Sequence, residues 1–261
     1  LHNKGLIYEG FKVLAYCWRC ETPLSNHELR MDDEVYKTRQ DQTLTVTFPI
    51  SAGQKYAGVN LLAWTTTPWT LVSNTAIAVH PDVDYVAART KESEDSKSEV
   101  LVLAEPLLSV VGDGYEILKK VKGRDLERTS YSRPFNYVEI PDAHFVVLAD
   151  YVTTEDGSGL VHQAPAFGAD DLKTCRAYNL PTVNPVRPDG HFETGIQLVG
   201  DLFFKDADKP IVKDLKQRGL LYKHQPYEHQ YPHCWRCHTA LIYYAQPSWY
   251  IRTTSIKDAL I

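Results

Sequence analysis

Two copies of the phrase Cys-Trp-Arg-Cys stand near opposite ends of the chain. One contains Cys17 and Cys20, and the other contains Cys234 and Cys237. Two thiols three positions apart can direct both sulfurs to one point, and a tetrahedral zinc ion takes two such pairs. The sequence therefore predicts a structural zinc site with these four cysteines as ligands.

Other uses of these cysteines fit less well. The chain shows no secretory signal, which argues against disulfides, and neither pair opens a helix after a strand as a redox Cys-x-x-Cys does. His233 and His238 flank the second pair and could each replace a thiolate, but two complete pairs already supply four ligands. We expect Cys175, the fifth cysteine, to be a small helix residue rather than a ligand or nucleophile.

The separation of the two pairs predicts how the chain is organised. Nearly the whole sequence lies between Cys20 and Cys234. If one metal joins them, everything between is an inserted domain, and a metal worth about 10 kcal/mol or more offsets the several kcal/mol of loop-closure entropy. We predict the first half of a zinc-bearing base at 1–42, the inserted domain at 43–205, and a return to the base with the second cysteine pair at 206–261.

A threonine-rich run carries the first group of polar residues. It reads Trp64-Thr65-Thr66-Thr67-Pro68-Trp69-Thr70 and is followed by Asn74. Threonine runs are common on strand surfaces, because β-branched side chains suit the pleat. This run, however, ends a predicted buried strand and is bracketed by tryptophans, so its hydroxyls are placed to serve a pocket as donors and acceptors.

A second polar group lies between residues 157 and 171. Its glycines allow close backbone approach, His162 is a polar residue at the end of an apolar strand, and Asp170 and Asp171 open the next helix. The acids also have a structural explanation, since acids at a helix N-terminus complement the helix dipole. A lone histidine is likewise more often a structural residue than a catalyst. The two groups together predict a pocket that positions water or binds an ammonium group. Neither a Gly-x-Ser-x-Gly elbow nor a Cys-His nucleophile pair is evident.

The elements that must position these residues are mostly short strands. We predict a helix over residues 1–13, a solvated loop over 91–98, and an aromatic, core-forming strand over 248–251. The remaining predicted strands cover 43–48, 59–66, 76–79, 85–89, 100–103, 115–121, 145–148 and 159–163, with helical segments at 105–111, 170–178 and 211–218. Many short strands with few helices predict an α+β fold with a closed or nearly closed sheet.

Composition sets outer limits on function. The chain has 261 residues, 43% of them hydrophobic and 23% charged, with a net charge of −5. An acidic chain is poorly suited to grip a long duplex or structured RNA by itself. Since no run approaches the length of a membrane helix, we expect a soluble, intracellular protein without a membrane partner. The chain begins at Leu1 without methionine and stops in a predicted helix at 254–261, so we expect a segment of something larger.

The two polar groups and the cysteine pairs, in this order, resemble the editing insertion (CP1) of isoleucyl-tRNA synthetases with its zinc-bearing base. The resemblance covers essentially the whole chain. The related valyl and leucyl enzymes carry Thr-Thr-Arg-Pro where this chain has Thr65-Thr66-Thr67-Pro68, and they lack the His-x-Ala-Pro-x-Phe pattern that begins at His162. One departure is Val72, where the family pattern has proline.

The resemblance implies a β-barrel-like editing domain over 43–205 that hydrolyses valine wrongly esterified to tRNA(Ile). One missing methylene alters affinity by only about 1–3 kcal/mol, so isoleucyl enzymes, the standard example, need a second, size-excluding site. By resemblance, His162 and Thr67 reject the larger side chain and Asp171 pairs with the α-ammonium group. The resemblance assigns the aminoacyl group, terminal adenosine or water to Thr65 and Thr66, with support from Asn74, while Trp64, Phe167 and Gly159 bind substrate.

The resemblance also implies partners and exclusions. The partners are the 3′ end of tRNA(Ile) carrying valine and the remainder of a parent synthetase, in the cytoplasm, and the chain is expected to be a monomer. His-x-Gly-His and Lys-Met-Ser-Lys-Ser are missing from the sequence, so ATP-dependent activation belongs to other parts of the parent. Two alternatives remain: a non-catalytic, zinc-dependent tRNA-binding module, and the editing domain of the valyl enzyme, against which Thr67 argues.

Overall fold

The computed structural model describes residues 1–30, 35–92 and 98–260, and within them the chain forms two sheets. Short 3₁₀ segments connect many of the elements, the one over Pro68–Ser73 being important below. The strands are β1 Ile7–Cys17, β2 Thr22–Leu24, β3 Tyr36–Pro49, β4 Asn60–Thr65, β5 Ala76–Val79, β6 Asp84–Arg89, β7 Val100–Ala104, β8 Glu116–Lys122, β9 Val146–Leu148, β10 Leu160–Gln163, β11 Leu221–Pro232 and β12 Ile242–Ile251, and the helices are α1 Ala169–Ala177, α2 Phe204–Gln217 and α3 Lys257–Leu260.

The smaller sheet is a three-stranded ribbon that carries both cysteine pairs at one end. β1 lies between β12 and β2, and its antiparallel pairing with β12 runs from Ile7 opposite Ile251 to Tyr16 opposite Ile242. The helix predicted over residues 1–13 is therefore wrong. The aromatic and β-branched residues of β1 favour a strand, and the partner that stabilises it lies at the far end of the chain, outside any local window.

The larger sheet has nine strands and curls into a half-barrel, in agreement with the predicted α+β class. Its order is β8-β6-β7-β4-β10-β5-β9, with β3 on the other side of β4 and β11 beyond β3. β4 is central because it pairs antiparallel with β3 and parallel with both β7 and β10. The polar residues at the ends of β4 and β10 consequently lie side by side.

The main core packs against this sheet and includes helix α2. Its buried face repeats every three or four residues, at Phe204, Ala207, Ile211 and Leu215, as an amphipathic helix requires. These side chains belong to the same cluster as Leu61 of β4 and the other sheet residues. Residues on both sides of position 205 thus share one core. The boundary between a domain at 43–205 and a segment at 206–261 stays a prediction.

Most of the predicted strands are confirmed to within about two residues at each end, as such boundaries allow. β11 was not predicted at all, although it is one of the longest strands. The residues at 248–251 do lie in a strand, but their expected place in the core is wrong, since Trp249 is 68% exposed. Of the predicted loop, residues 93–97 lie outside the described residues. A membrane-crossing helix is not found in the described part of the chain.

Candidate active site

The four paired cysteines meet at the end of the small sheet. Their Sγ atoms all lie within 4.8 Å of one another, and those of Cys17 and Cys237 are 3.4 Å apart. Sulfurs at the corners of a tetrahedral zinc site are separated by about 3.8 Å, because each Zn–S bond is about 2.3 Å long. The cysteines are free rather than disulfide-bonded. Their arrangement therefore fits a bound metal ion.

Each cysteine pair closes on the same backbone turn. Glu21 follows the first pair with φ of 48°, and His238 follows the second with φ of 59°. The His238 amide donates to the carbonyl oxygen of Cys234 at 2.7 Å. The turns at the two cysteine pairs thus share a backbone geometry as well as a sequence. His238 contributes to the second turn through its backbone amide.

A cavity of about 470 Å³ collects most of the other predicted site residues. Asn74 and Gly159 do not line it. Its walls include Trp64, Thr65, Thr66, Thr67, His162, Phe167 and Asp171, all of which were predicted, and Tyr36, Trp69, Thr70, Val161, Ala164, Gly168, His229, Gln230, Tyr231, Pro232, Ile242 and Tyr243, which were not assigned to the site.

The strand ends explain why the predicted residues meet. Trp64 of β4 lies opposite Val161 in the parallel β4–β10 pair, which places the end of the threonine run beside His162. After Thr65 the chain leaves the sheet and enters the 3₁₀ segment with Pro68 at its first position, where a missing N–H costs nothing. The threonines therefore surround a strand end, where hydroxyls can face the cavity.

Hydrogen bonds hold the threonine side chains in fixed positions. The Thr67 amide donates to Oγ1 of Thr65 at 3.1 Å, and the two hydroxyls are 3.4 Å apart. The Thr70 hydroxyl donates to the carbonyl oxygen of Thr67 at 2.8 Å. Thr66, which lies between Thr65 and Thr67 in the sequence, is partly buried and lines the cavity. The run thus presents a preorganised set of oxygens.

Asn74 fixes the protonation of His162 from behind the cavity wall. Asn74 Nδ2 lies 3.1 Å from the Ala76 carbonyl oxygen and 2.8 Å from His162 Nδ1. A carbonyl can only accept, so this atom is the amide nitrogen and His162 Nδ1 must be the acceptor. The proton of the neutral imidazole is therefore on Nε2, which donates to the Thr70 hydroxyl at 3.0 Å.

Tyr131 completes this chain on the core side. Its hydroxyl donates to Oδ1 of Asn74 at 2.7 Å, and the side chain is only 3% exposed. A continuous path of hydrogen bonds thus runs from Tyr131 through Asn74, His162 and Thr70 to Thr67. Sequence reasoning had identified Asn74 as a supporting residue, but Tyr131 carries no local signal because it lies far away along the chain.

The hydrogen bonds and burial of His162 leave its neutral ring unable to act as a general base. Burial lowers the pKa of His162 to about 3, so the ring is neutral near pH 7. The lone pair on Nδ1 is used by Asn74, and Nε2 carries the proton. The imidazole therefore has no site with which to take a proton from water, and it contributes shape and rigidity instead.

Asp171 is the carboxylate on the cavity. Its Oδ2 accepts the Ala164 amide at 2.8 Å, while burial raises the pKa of its carboxyl group to about 7. A Cβ at Gly168 would lie 2.6 Å from Cγ of Asp171, so glycine is needed where the chain turns into α1. The groups that shift this pKa include no cation, so the carboxylate has a place for a positively charged group of a ligand.

Trp69 and two glycines complete the surroundings of the cavity. Trp69 is 3% exposed and packs on Phe167 and Phe204, with ring centroids 4.6 and 5.0 Å away, so it joins the cavity to the core. Gly159 lies behind the cavity, where a Cβ would come within 2.4 Å of the Ala104 Cβ. The glycine that does approach the site is Gly157, whose Cβ would meet the Trp64 side chain at 3.0 Å.

Comparison with known proteins supports a single family. The family model described as tRNA synthetases class I (I, L, M and V) matches residues 1–261. The chain is 58% identical over 264 residues to an isoleucine–tRNA ligase of Streptomyces coelicolor, covering 100% of this chain and 24% of that protein. It is 44% identical over 277 residues to an isoleucine–tRNA ligase of Mycobacterium tuberculosis, covering 100% of this chain and 26% of that protein. The chain thus spans about a quarter of the length of these relatives.

Solved structures share the fold at low identity. The editing domain of the P. falciparum cytosolic leucyl-tRNA synthetase aligns with a TM-score of 0.53 and 10% identity, over 70% of this chain and 98% of that one. The CP1 structure of GlLeuRS aligns with a TM-score of 0.54 and 15% identity, over 70% of this chain and 98% of that one. The chain therefore belongs to the class I tRNA synthetases (I, L, M and V), with a sequence similar to part of isoleucine–tRNA ligases and the fold of a CP1 editing domain.

Proposed function

We propose that this chain hydrolyses the ester of valine wrongly attached to tRNA(Ile). The observation that carries the proposal is one cavity in which fixed hydroxyls, a neutral imidazole and a carboxylate of raised pKa meet. An aminoacyl ester offers a matching set of groups: an α-ammonium, an apolar side chain and a carbonyl open to water. The resemblance of the two polar motifs and the similarity to isoleucine–tRNA ligases support the same assignment.

In this proposal Asp171 binds the α-ammonium group. A cation beside the carboxylate favours its ionised form and brings its raised pKa down again. The substrate thus supplies a positive charge beside the carboxylate, and binding fixes the ester relative to the cavity walls. The ammonium is shared by valine and isoleucine, so this contact gives affinity without selectivity.

Selectivity is assigned to the wall formed by His162 and Thr67. The two ring nitrogens of His162 are bound by Thr70 and Asn74, and the Thr67 hydroxyl lies 3.4 Å from the hydroxyls of Thr65 and Thr70. A wall held in this way cannot retreat to admit one more methylene without breaking hydrogen bonds among buried groups. Valine fits in front of this wall and isoleucine does not.

The hydrolytic step requires a water molecule directed at the ester carbonyl carbon. The water oxygen bonds to that carbon, the bond from the carbon to the ribose oxygen breaks, and the ribose oxygen takes the proton. Thr65 and Thr66 can orient the water, and the neighbouring ribose hydroxyl can relay its proton. Because His162 has no free lone pair, the step is assigned to positioning rather than to a histidine base.

The remaining assignments follow the same logic. Trp64 and Phe167 shape the adenosine side of the cavity. A zinc ion bound by Cys17, Cys20, Cys234 and Cys237 holds the two arms of the base together. We also propose that the chain acts as a monomeric part of a cytoplasmic parent enzyme, in which the activation of isoleucine takes place elsewhere.

The test is deacylation of valyl-tRNA(Ile) and isoleucyl-tRNA(Ile), by this chain and by the full-length parent. We expect only the valyl ester to be hydrolysed. In a His162→Ala variant isoleucyl-tRNA(Ile) should become a substrate, whereas His224→Ala, which removes an exposed histidine of β11, should leave the preference intact. Continued rejection of isoleucine by His162→Ala would remove the wall assignment.

The same assay separates the alternative functions. A non-catalytic tRNA-binding module would protect valyl-tRNA(Ile) from hydrolysis instead of accelerating it. An editing domain of the valyl enzyme would prefer threonyl-tRNA(Val) over valyl-tRNA(Ile).

A further inference from the structure

We propose that Tyr36 and Tyr243 form a stacking platform for the single-stranded nucleotides that precede the terminal adenosine of the substrate RNA. This inference rests on the proposed function, because it concerns the polymer attached to the ester. The two tyrosines stand on the rim of the cavity that contains Asp171 and the threonines.

Exposure distinguishes these two side chains from the other apolar residues of the surface. Twelve large hydrophobic residues are exposed in the described part of the chain, and of these only Tyr36, at 47%, and Tyr243, at 45%, line the cavity. The walls deeper in the cavity, such as His162 at 6%, are buried. Exposed aromatic surface therefore occurs where a bound nucleotide chain would leave the pocket.

The two tyrosines come from different sheets that are joined at this point. Tyr36 begins β3 and lies opposite Pro232 of β11, whereas Tyr243 lies on β12 opposite Ala15 of β1. The Leu241 amide donates to the Pro232 carbonyl oxygen at 3.0 Å, which ties the two strands together. Pro232 and Ile242 line the cavity between the tyrosines, so the rim is an apolar surface on rigid strands.

The electrostatics of the rim favour bases over phosphates as the groups that are bound. His229, which lines the cavity, contacts Asp41 at 3.0 Å, and the same carboxylate pairs with Arg39 at 3.1 Å and Lys205 at 3.0 Å. Lys205 also lies 3.8 Å from the carboxylate of Asp208, so two acids balance these two cations, and the whole chain carries a net charge of −5. Base–aromatic stacking tolerates any base and needs no positive charge.

The experiment compares two substrates that differ only in the attached nucleotides. We would measure kcat and KM for valyl-tRNA(Ile) and for 2′(3′)-O-valyl-adenosine, with the wild-type chain and Tyr36→Ala/Tyr243→Ala. One stacked base contributes roughly a 5- to 150-fold effect. We expect the ratio of kcat/KM for the tRNA to that for the adenosine ester to fall by about this factor, mainly through KM.

Two matched variants separate stacking from other effects. Tyr36→Phe/Tyr243→Phe keeps both rings and should retain the wild-type ratio. Tyr115→Ala removes another exposed tyrosine, at 38%, that does not line the cavity, and should also retain it. Loss of a phosphate contact would change the salt dependence of binding, whereas loss of a stacking contact would not. The kcat/KM ratio should therefore fall by a similar factor at about 50 and 200 mM salt.

Three outcomes would overturn the proposal. The ratio could stay unchanged in the double alanine variant, both substrates could lose activity equally, or the phenylalanine variant could behave like the alanine variant. If the wild-type chain hydrolyses neither ester, the proposed function fails instead. The platform is then tested by binding of the trinucleotide CpCpA against adenosine: the trinucleotide should bind more tightly, and the advantage should vanish in the double alanine variant.

Discussion

The cysteine cluster and the cavity are built from local motifs in different ways. The cluster joins two copies of one motif, and four thiols suffice to make it a candidate metal site. In the cavity, no single residue defines the chemistry: the role of His162 depends on Asn74, and the charge of Asp171 depends on its burial. The comparison teaches that ligand type fixes a metal site, whereas neighbours fix the properties of a polar pocket.

If this contrast is correct, changes to the cavity should alter substrate chemistry strongly, and changes to the cysteine cluster should not. The largest effect is expected for Asp171→Ala in deacylation of valyl-tRNA(Ile). Losing the charged partner of the α-ammonium should cost about 2 kcal/mol or more, which is roughly a 30-fold loss in kcat/KM. Asp170→Ala is the matched control, since Asp170 is exposed in the same first turn of α1 and does not line the cavity.

The pH profile provides a second measure of the same prediction. The raised pKa of Asp171, about 7, means that the free protein loses its ionised carboxylate as the pH falls below that value. We expect kcat/KM to fall about tenfold per pH unit on the acid side, with a weaker dependence in kcat because bound ammonium lowers the pKa. Activity of Asp171→Ala within about twofold of wild type would remove the assignment.

A smaller effect is expected for Tyr131→Phe, which deletes one hydroxyl outside the cavity. Its loss leaves Asn74 Oδ1 without its partner and weakens the constraint that keeps the His162 proton on Nε2. A net cost of about 1 kcal/mol corresponds to roughly a fivefold loss in discrimination between valyl and isoleucyl esters. Nitrogen-15 chemical shifts of the His162 ring should show a changed tautomer population.

A purely structural role for Tyr131 would give a different pattern. Stability would fall while the ring shifts and the discrimination ratio stayed constant. Tyr137→Phe serves as a control for hydroxyl removal, because Tyr137 packs against the same core from outside the hydrogen-bonded path.

The smallest effect on the cavity is expected from metal removal. Chelation should loosen the contact between the two cysteine pairs, since the metal is the proposed bond between them. The affinity for a non-hydrolysable valyl-adenosine analogue should stay within about twofold, because none of the four cysteines lines the cavity. Loss of analogue binding after chelation would show that the base and the site are not separable.

The sequence predicted the fold best where the signal was local. Strands such as β4 and β10 have apolar runs that end at proline or glycine, and both were found with nearly the right bounds. β1 and β11 were missed or taken for a helix because both are long, half-exposed strands that depend on distant partners, β12 and β3. A strand that depends on a partner far away in the sequence gives no distinct signal within a short stretch of residues.

The site shows the same division. Seven of the residues that the motifs singled out, from Trp64 to Asp171, line one cavity. The wall contributed by β11 and β12, including His229 and Tyr243, was not foreseen, because one strand was not predicted and the other was expected to be core. Gly159 was assigned from the resemblance, whereas the packing of Gly157 against Trp64 and of Gly159 against Ala104 is visible only in the folded chain.

The sequence by itself determined which chemical groups are available: two thiol pairs, a threonine run, one histidine and one carboxylate, each within a short motif. The tertiary structure decided what those groups can do. Burial sets the pKa values of Asp171 and His162. The hydrogen bonds of Asn74 and Tyr131 fix the position of the imidazole proton, and two different sheets bring Tyr36 and Tyr243 to the cavity rim. The physical reason is that composition and spacing are local properties, whereas desolvation and hydrogen-bond partnership depend on residues that only the folded chain brings together.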